Sequence, residues 1–167
     1  MPRTQVAALQ ASESKGHGVK SALDERRAAP RPGIPGWKAW SAVAVGGLIG
    51  TELRFGAGLI FPESAGAVPW TTLAINVAGS FVLATLTTIW IARPKTAFWL
   101  RAGIGPGLLG SFTTFSALVM AIDQQIRAGF HATWLAYLGL SLVLGLGAAA
   151  AGWKTGKAIA DAGGGAQ

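Results

Sequence analysis

The chain of 167 residues has no cysteine, which excludes disulfides and thiolate metal sites and leaves its compartment open. Charge is scarce as well. Only 13% of residues are charged, against about 25% in an ordinary soluble domain, while 51% are apolar. Histidine is nearly missing: His17 falls in the N-terminal region and His131 in the last loop, so neither suggests a metal ligand. The net charge of +7 comes without a basic stripe interleaved with aromatics, which excludes a nucleic-acid partner. What remains is a membrane composition, with a mean hydropathy of +0.44.

Four apolar blocks are long enough to cross a bilayer at about 20 residues per crossing. They run approximately over Trp40–Ile60, Trp70–Ala92, Phe98–Ile126 and Thr133–Trp153. Trp40, Trp70, Trp90, Trp99, Trp134 and Trp153 sit at or near their ends, where an indole suits the membrane interface. Buried helices of a soluble protein would need polar faces at helical spacing, and Leu135–Gly152 offers almost none. The expected fold is an all-α membrane protein of four transmembrane helices over residues 38–157. Residues 1–37, polar and punctuated by Pro30, Pro32 and Pro35, read as a disordered tail without the apolar run of a signal peptide. Residues 158–167 read as a flexible end.

Basic residues are distributed unequally around these spans. Lys38, Arg93, Lys95, Arg101, Lys154 and Lys157 lie close to the spans on the side that holds both termini, whereas the opposite loops have only Arg127. The positive-inside rule then predicts cytoplasmic termini in a multi-pass protein of the cell membrane.

The third block carries the most chemistry. It contains Pro106 and then Gly110-Ser111-Phe112-Thr113-Thr114-Phe115-Ser116, four hydroxyls within six residues. A helix that stops at mid-membrane must satisfy its freed backbone groups with protein, water or ions. A first half ending near Gly110 points carbonyl oxygens at the break, a place for a cation. A second half starting near Thr113–Thr114 points N–H groups there, with the helix dipole favouring negative charge. The hydroxyls of Ser111, Thr113, Thr114 and Ser116 either cap these groups or bond back to their own helix.

Other polar residues sit within the spans. Asn76, mid-way along the second, is either interhelical glue or a donor to an anion. Tyr137 and Ser141 are four apart and share one face of the fourth helix. Phe115 either packs or offers its positive ring edge to an anion. Arg54 and Glu52 are ionisable residues late in the first span, with Arg54 at an aqueous vestibule or tying down helix ends. Gly46, Gly47, Gly50, Gly79, Gly139, Gly145 and Gly147 permit close helix approach. Four helices do not easily enclose a polar pathway alone, so a dimer is expected.

Three segments together resemble the Fluc/CrcB family of fluoride channels over roughly Gly46 to Gly156. They are Gly46-Gly47-Leu48-Ile49-Gly50-Thr51-Glu52-Leu53-Arg54-Phe55, Thr72-Leu73-Ala74-Ile75-Asn76-Val77-Ala78-Gly79-Ser80-Phe81, and Gly110 to Ser116. The resemblance implies a four-helix subunit with a broken third helix that pairs antiparallel and carries fluoride passively out of the cytoplasm. It implies a structural sodium ion held by the carbonyls of Gly110 and Thr113 from both subunits. It also implies an ion pathway through Asn76, Thr114, Phe115, Ser116, Tyr137 and Ser141, with membrane lipid around it.

The chain departs from the family pattern at Ser111, which stands for a second glycine, and at Ala117 and Leu118, where a hydroxyl and a second pore phenylalanine are usual. The expected partner is a second copy in a homodimer or an oppositely oriented homologue in a heterodimer, and with the unequal basic loops these departures point toward the homologue. The alternative reading is a proton-coupled exporter of the small multidrug-resistance type, for which Glu52 is the only membrane carboxylate available.

Overall fold

The computed structural model describes residues 36–64 and 67–164. The expected tail lies almost wholly outside the described residues, as do the last three positions. Among the described residues all regular structure is helical. The elements are α1 (Trp37–Ile60), α2 (Trp70–Ala92), α3 (Phe98–Ala102), a π-helical stretch (Gly103–Leu109), α4 (Gly110–Phe112), α5 (Phe115–Arg127) and α6 (His131–Gly164). Four helical segments are long and apolar enough to span a membrane, the third being the composite Phe98–Arg127. Large apolar side chains such as Leu48, Phe55, Ile91, Val143 and Leu146 are turned outward, as lipid-facing helices require.

The helices associate as two tight layers. α1 lies against the π-helical stretch, where Gly46 and Gly50 bring the backbones together. A Cβ at Gly46 would meet the Gly103 carbonyl and stand 2.9 Å from the Leu108 nitrogen, and one at Gly50 would meet the Leu108 carbonyl. α2 lies along α6, and here the close approach comes from Gly152 and Gly156. A Cβ at Gly156 would stand 2.6 Å from the Thr85 carbonyl, and one at Gly152 would run into that of Phe81. Thr85 Oγ1 also donates across this seam to the Gly152 carbonyl at 3.1 Å. Without a hydrophobic drive between helices in lipid, such small-residue seams supply the packing. Gly139, Gly145 and Gly147, expected to act this way, meet no other helix among the described residues within 4 Å of a built Cβ.

The π-helical register follows from Pro106. Proline has no N–H to donate back along the helix, and Gly103, Gly105 and Gly107 tolerate the altered winding. Gly110 accordingly donates to the Gly105 carbonyl, five residues back. At its far end α6 stays helical through Gly164, beyond Trp153 and beyond residue 157, where a flexible end is expected from sequence.

Candidate ion site at the helix break

The third span is broken, three residues later than Gly110. α4 ends at Phe112, and Thr113 (φ −83°, ψ 147°) and Thr114 (φ −151°, ψ 127°) are extended before α5 begins at Phe115. Thr113 closes the last turn twice over. Its N–H and its Oγ1 both donate to the Leu109 carbonyl, at 2.9 and 2.8 Å. Here the hydroxyl bonds back to its own helix. Thr113 also explains Gly79, because a Cβ on that residue of α2 would collide with Thr113 Cγ2.

Asn76 grips the other extended residue. The Thr114 N–H donates to Asn76 Oδ1 at 2.9 Å, and Asn76 Nδ2 donates to the Thr114 carbonyl at 3.2 Å. Of the two roles open from sequence, Asn76 performs the interhelical one and keeps a single Nδ2 proton to spare. The clamp has a consequence for the carbonyls. In a continuous helix the Thr114 N–H would serve Gly110, and Asn76 has taken it. The Thr113 carbonyl precedes the N-cap of α5 and so falls outside its ladder. Neither oxygen accepts a backbone hydrogen bond from the described residues.

On the other side of the break the first N–H groups of α5 lack intrahelical partners, and Thr114 makes no side-chain cap. Its hydroxyl instead lies 2.7 Å from Ser116 Oγ. The Phe115 ring stands 74% exposed on the outer surface of the subunit. Ser111 faces α1, its Oγ 3.4 Å from where a Cβ on Gly47 would stand.

A cavity of about 680 Å³ opens beside the break, between α1, α2 and α5. Arg54, Glu52, Glu63, Thr72, Asn76 and Thr114 are among its walls. Arg54 lines this cavity, with Nε buried and unpartnered. Glu52 is exposed and makes no ion pair with it. The one salt bridge among the described residues joins Asp123 to Arg127 at 2.7 Å on the surface of α5. Glu63, unremarked in the sequence, takes the Thr72 N–H at 2.7 Å and Thr72 Oγ1 at 3.1 Å, and so caps the start of α2.

Tyr137 and Ser141 are kept apart from this group. Tyr137 is 1% exposed in a cluster with Leu73 and Leu118. Its OH and Ser141 Oγ are buried with only each other as a side-chain partner. Gln125 on α5 is equally buried, and its Nε2 donates to the Ala67 carbonyl at 3.4 Å. Trp134, which the sequence places at the interface, has its Nε1 buried and unpartnered.

Among the described residues no three His, Cys, Asp or Glu side chains gather where they could hold a metal ion. Any cation at the break would be held by neutral oxygens. A broken membrane-spanning helix with freed carbonyls and freed amides beside a polar-walled cavity is the arrangement of a membrane protein built to handle ions. Residues 41–153 match the family described as "CrcB-like protein, Camphor Resistance (CrcB)". The chain is 38% identical over 113 residues to "Fluoride-specific ion channel FluC 2" of Geobacillus kaustophilus, covering 67% of this chain and 88% of that one. It is 42% identical over 106 residues to "Fluoride-specific ion channel FluC 1" of Cutibacterium acnes, covering 62% and 74%. With "Fluoride-specific ion channel FluC 2" of Streptomyces avermitilis it shares 39% identity over 106 residues, 61% of this chain and 65% of that one. The chain belongs to the CrcB family, a family of multi-pass membrane channels rather than enzymes.

Proposed function

We propose that this chain is a subunit of a fluoride channel that lowers cytoplasmic fluoride by passive efflux. The observation that carries the reading is the open break at Thr113–Thr114, with uncapped amides on one side and two unclaimed carbonyls on the other. Fluoride is small and strongly hydrated, so a narrow pore must replace its water with donors that do not trap it. The α5 amides, the hydroxyls of Thr114 and Ser116, the spare Asn76 N–H and the Phe115 ring edge are such donors. Tyr137 and Ser141 continue the path along α6. Arg54 draws anions into the vestibule without standing in the pore. The relatives named above are fluoride-specific channels, which supports the choice of anion.

A structural sodium ion fits the chemistry of the Gly110 and Thr113 carbonyls, which are hard, neutral and unclaimed. Two from each of two subunits would supply four oxygens. The bound ion would supply fixed positive charge at the meeting point of two breaks. Antiparallel pairing is supported by the exposed Phe115 ring and by the open glycines of α6. The unequal basic loops and the numbered names of the relatives favour an oppositely oriented homologue as partner. A proton-coupled exporter would need a carboxylate placed to be reached alternately from each side. Glu52 is exposed on α1 and Glu63 is engaged as a helix cap, so the channel reading uses the site better.

The test is fluoride efflux from liposomes holding the purified chain, alone and with its reverse-oriented homologue, followed by a fluoride electrode. A channel empties the vesicles of fluoride without a proton gradient and retains chloride. No efflux from either preparation overturns the fluoride reading. Efflux from the chain alone, as a stable dimer, overturns the need for a second subunit. Exchange of sodium for N-methylglucamine should dissociate the dimer on size exclusion, and an unchanged elution removes the sodium.

A further inference from the structure

A second cavity, of about 650 Å³, opens where α2 ends beside the last turns of α6. Arg93, Lys95, Thr96, Ala160 and Gly163 are among its walls, and it shares none of them with the cavity beside the break. The glycine seam puts these residues together. Gly152 stands against Phe81, Gly156 against Thr85 and Gly163 against Arg93, in the same order along both helices. α2 and α6 therefore run parallel and finish at one level. A Cβ on Gly163 would stand 2.7 Å from Arg93 Nη2, so the glycine leaves the guanidinium its seat against α6.

The turn after α2 holds the two cations in place. The Arg93 N–H closes the helix onto the Ile89 carbonyl at 2.9 Å. The Arg93 carbonyl in turn accepts the Thr96 N–H at 3.0 Å and Thr96 Oγ1 at 2.9 Å. Pro94 fixes a dihedral between them, so Lys95 sits within an anchored turn. The charge is of one sign, since no carboxylate lines the cavity among the described residues. Asp161, which follows Ala160 on α6, is exposed. Neither Arg93 nor Lys95 forms an ion pair among the described residues, where the one salt bridge is Asp123–Arg127. Height is the second clue. Arg93 follows directly on the apolar run of α2, about 4.5 Å beyond Trp90, which places it at the headgroup layer. Ile91 beneath it is 77% exposed, as an acyl chain requires.

We propose that this cavity binds a phosphate group, carried by the headgroup of an anionic phospholipid. The Arg93 guanidinium offers a fork of N–H donors to two phosphate oxygens, and the Lys95 ammonium adds a point charge beside it. A basic pocket between helix ends at the membrane surface suits such a headgroup. Bound there, the lipid ties the end of α2 to that of α6 beyond the last glycine contact of the seam. The site stands whichever anion the channel conducts.

The experiment follows the thermal midpoint of the purified full chain in neutral detergent during titration with short-chain phosphatidylglycerol, phosphatidylcholine or inorganic phosphate. Phosphatidylglycerol should raise the midpoint saturably and phosphatidylcholine should not. Arg93→Gln combined with Lys95→Gln should raise the half-saturating phosphatidylglycerol concentration about tenfold or more. Lys154→Gln combined with Lys157→Gln removes equal charge outside the cavity and should leave that concentration unchanged. Saturation by inorganic phosphate alone, lost in the Arg93/Lys95 variant, overturns the lipid and assigns the site to free phosphate. The site itself is overturned if neither ligand saturates, or if the Arg93/Lys95 variant saturates like wild type. Equal losses in both double variants also overturn it, because they would report surface charge in general. If the Arg93/Lys95 variant does not fold, Lys95→Gln alone decides, with a several-fold rise expected and an unchanged value against the site.

Discussion

The break in the third span and the α5–α6 hairpin both bury polar groups, and they treat them in opposite ways. At the break, Asn76 and the Thr114 peptide satisfy each other through two hydrogen bonds, and Thr113 folds its hydroxyl onto Leu109. In the hairpin, Trp134 Nε1 and Gln125 Oε1 are buried with nothing to bond, and Tyr137 OH and Ser141 Oγ have only each other. The first region builds a framework, and only what the framework displaces, the carbonyls of Gly110 and Thr113, is left for an ion. The second leaves its buried groups only partly satisfied. Polarity within a membrane therefore has to be read with its partners before a residue is given a role.

The largest effect should come from breaking the framework. Asn76→Leu leaves both the N–H and the carbonyl of the part-buried Thr114 without their partner, a loss of about 1–3 kcal/mol. A thermal unfolding midpoint in detergent should fall sharply, with Asn76→Asp intermediate because it keeps the acceptor. An unchanged midpoint would mean that the clamp is incidental.

Next come the helix seams. Gly152→Ala drives a methyl into the Phe81 carbonyl and should destabilise by about 1–3 kcal/mol. Gly147→Ala, with open space around it, should leave the subunit's unfolding unaltered. Should Gly147→Ala instead reduce the dimer fraction on size exclusion, the open glycines of α6 belong to the subunit interface. Equal unfolding losses for both variants would erase the distinction between the two sets of glycines.

The smallest effect is expected at Glu63. Glu63→Gln keeps a hydrogen-bonding oxygen near Thr72 but removes the charge at the start of α2, about 0.3–1 kcal/mol. Raised salt should shrink the difference between the two proteins. A large loss would assign Glu63 a role in the cavity beyond capping.

The spans, the break and the clamp residues were legible in the sequence because each rests on a local rule. Apolar length marks a crossing, Pro106 and the glycines mark irregular winding, and an amide in a lipid segment must find a partner. The position of the break was not legible to the residue. The π-helical register shifts the helix by a fraction of a turn, and only packing against Gly46 and Gly50 decides where it ends. Gln125 escaped notice for a related reason. Its neighbours Asp123 and Arg127 face water as an exposed pair, and nothing local distinguishes the one polar side chain of α5 that turns inward. Gly152 and Gly156 were hidden among equivalent glycines, since which face meets a neighbour is a tertiary fact.

The length of α6 has a practical outcome. At 1.5 Å per residue its 34 residues extend about 51 Å, while the hydrocarbon layer is about 30 Å thick. With the rod upright, roughly two-fifths of it stands clear of the hydrocarbon layer, carrying Lys154 and Lys157 with it. It offers a rigid mast on which an epitope or fluorophore can be mounted without touching the pore, and from which the direction of insertion can be read in living cells.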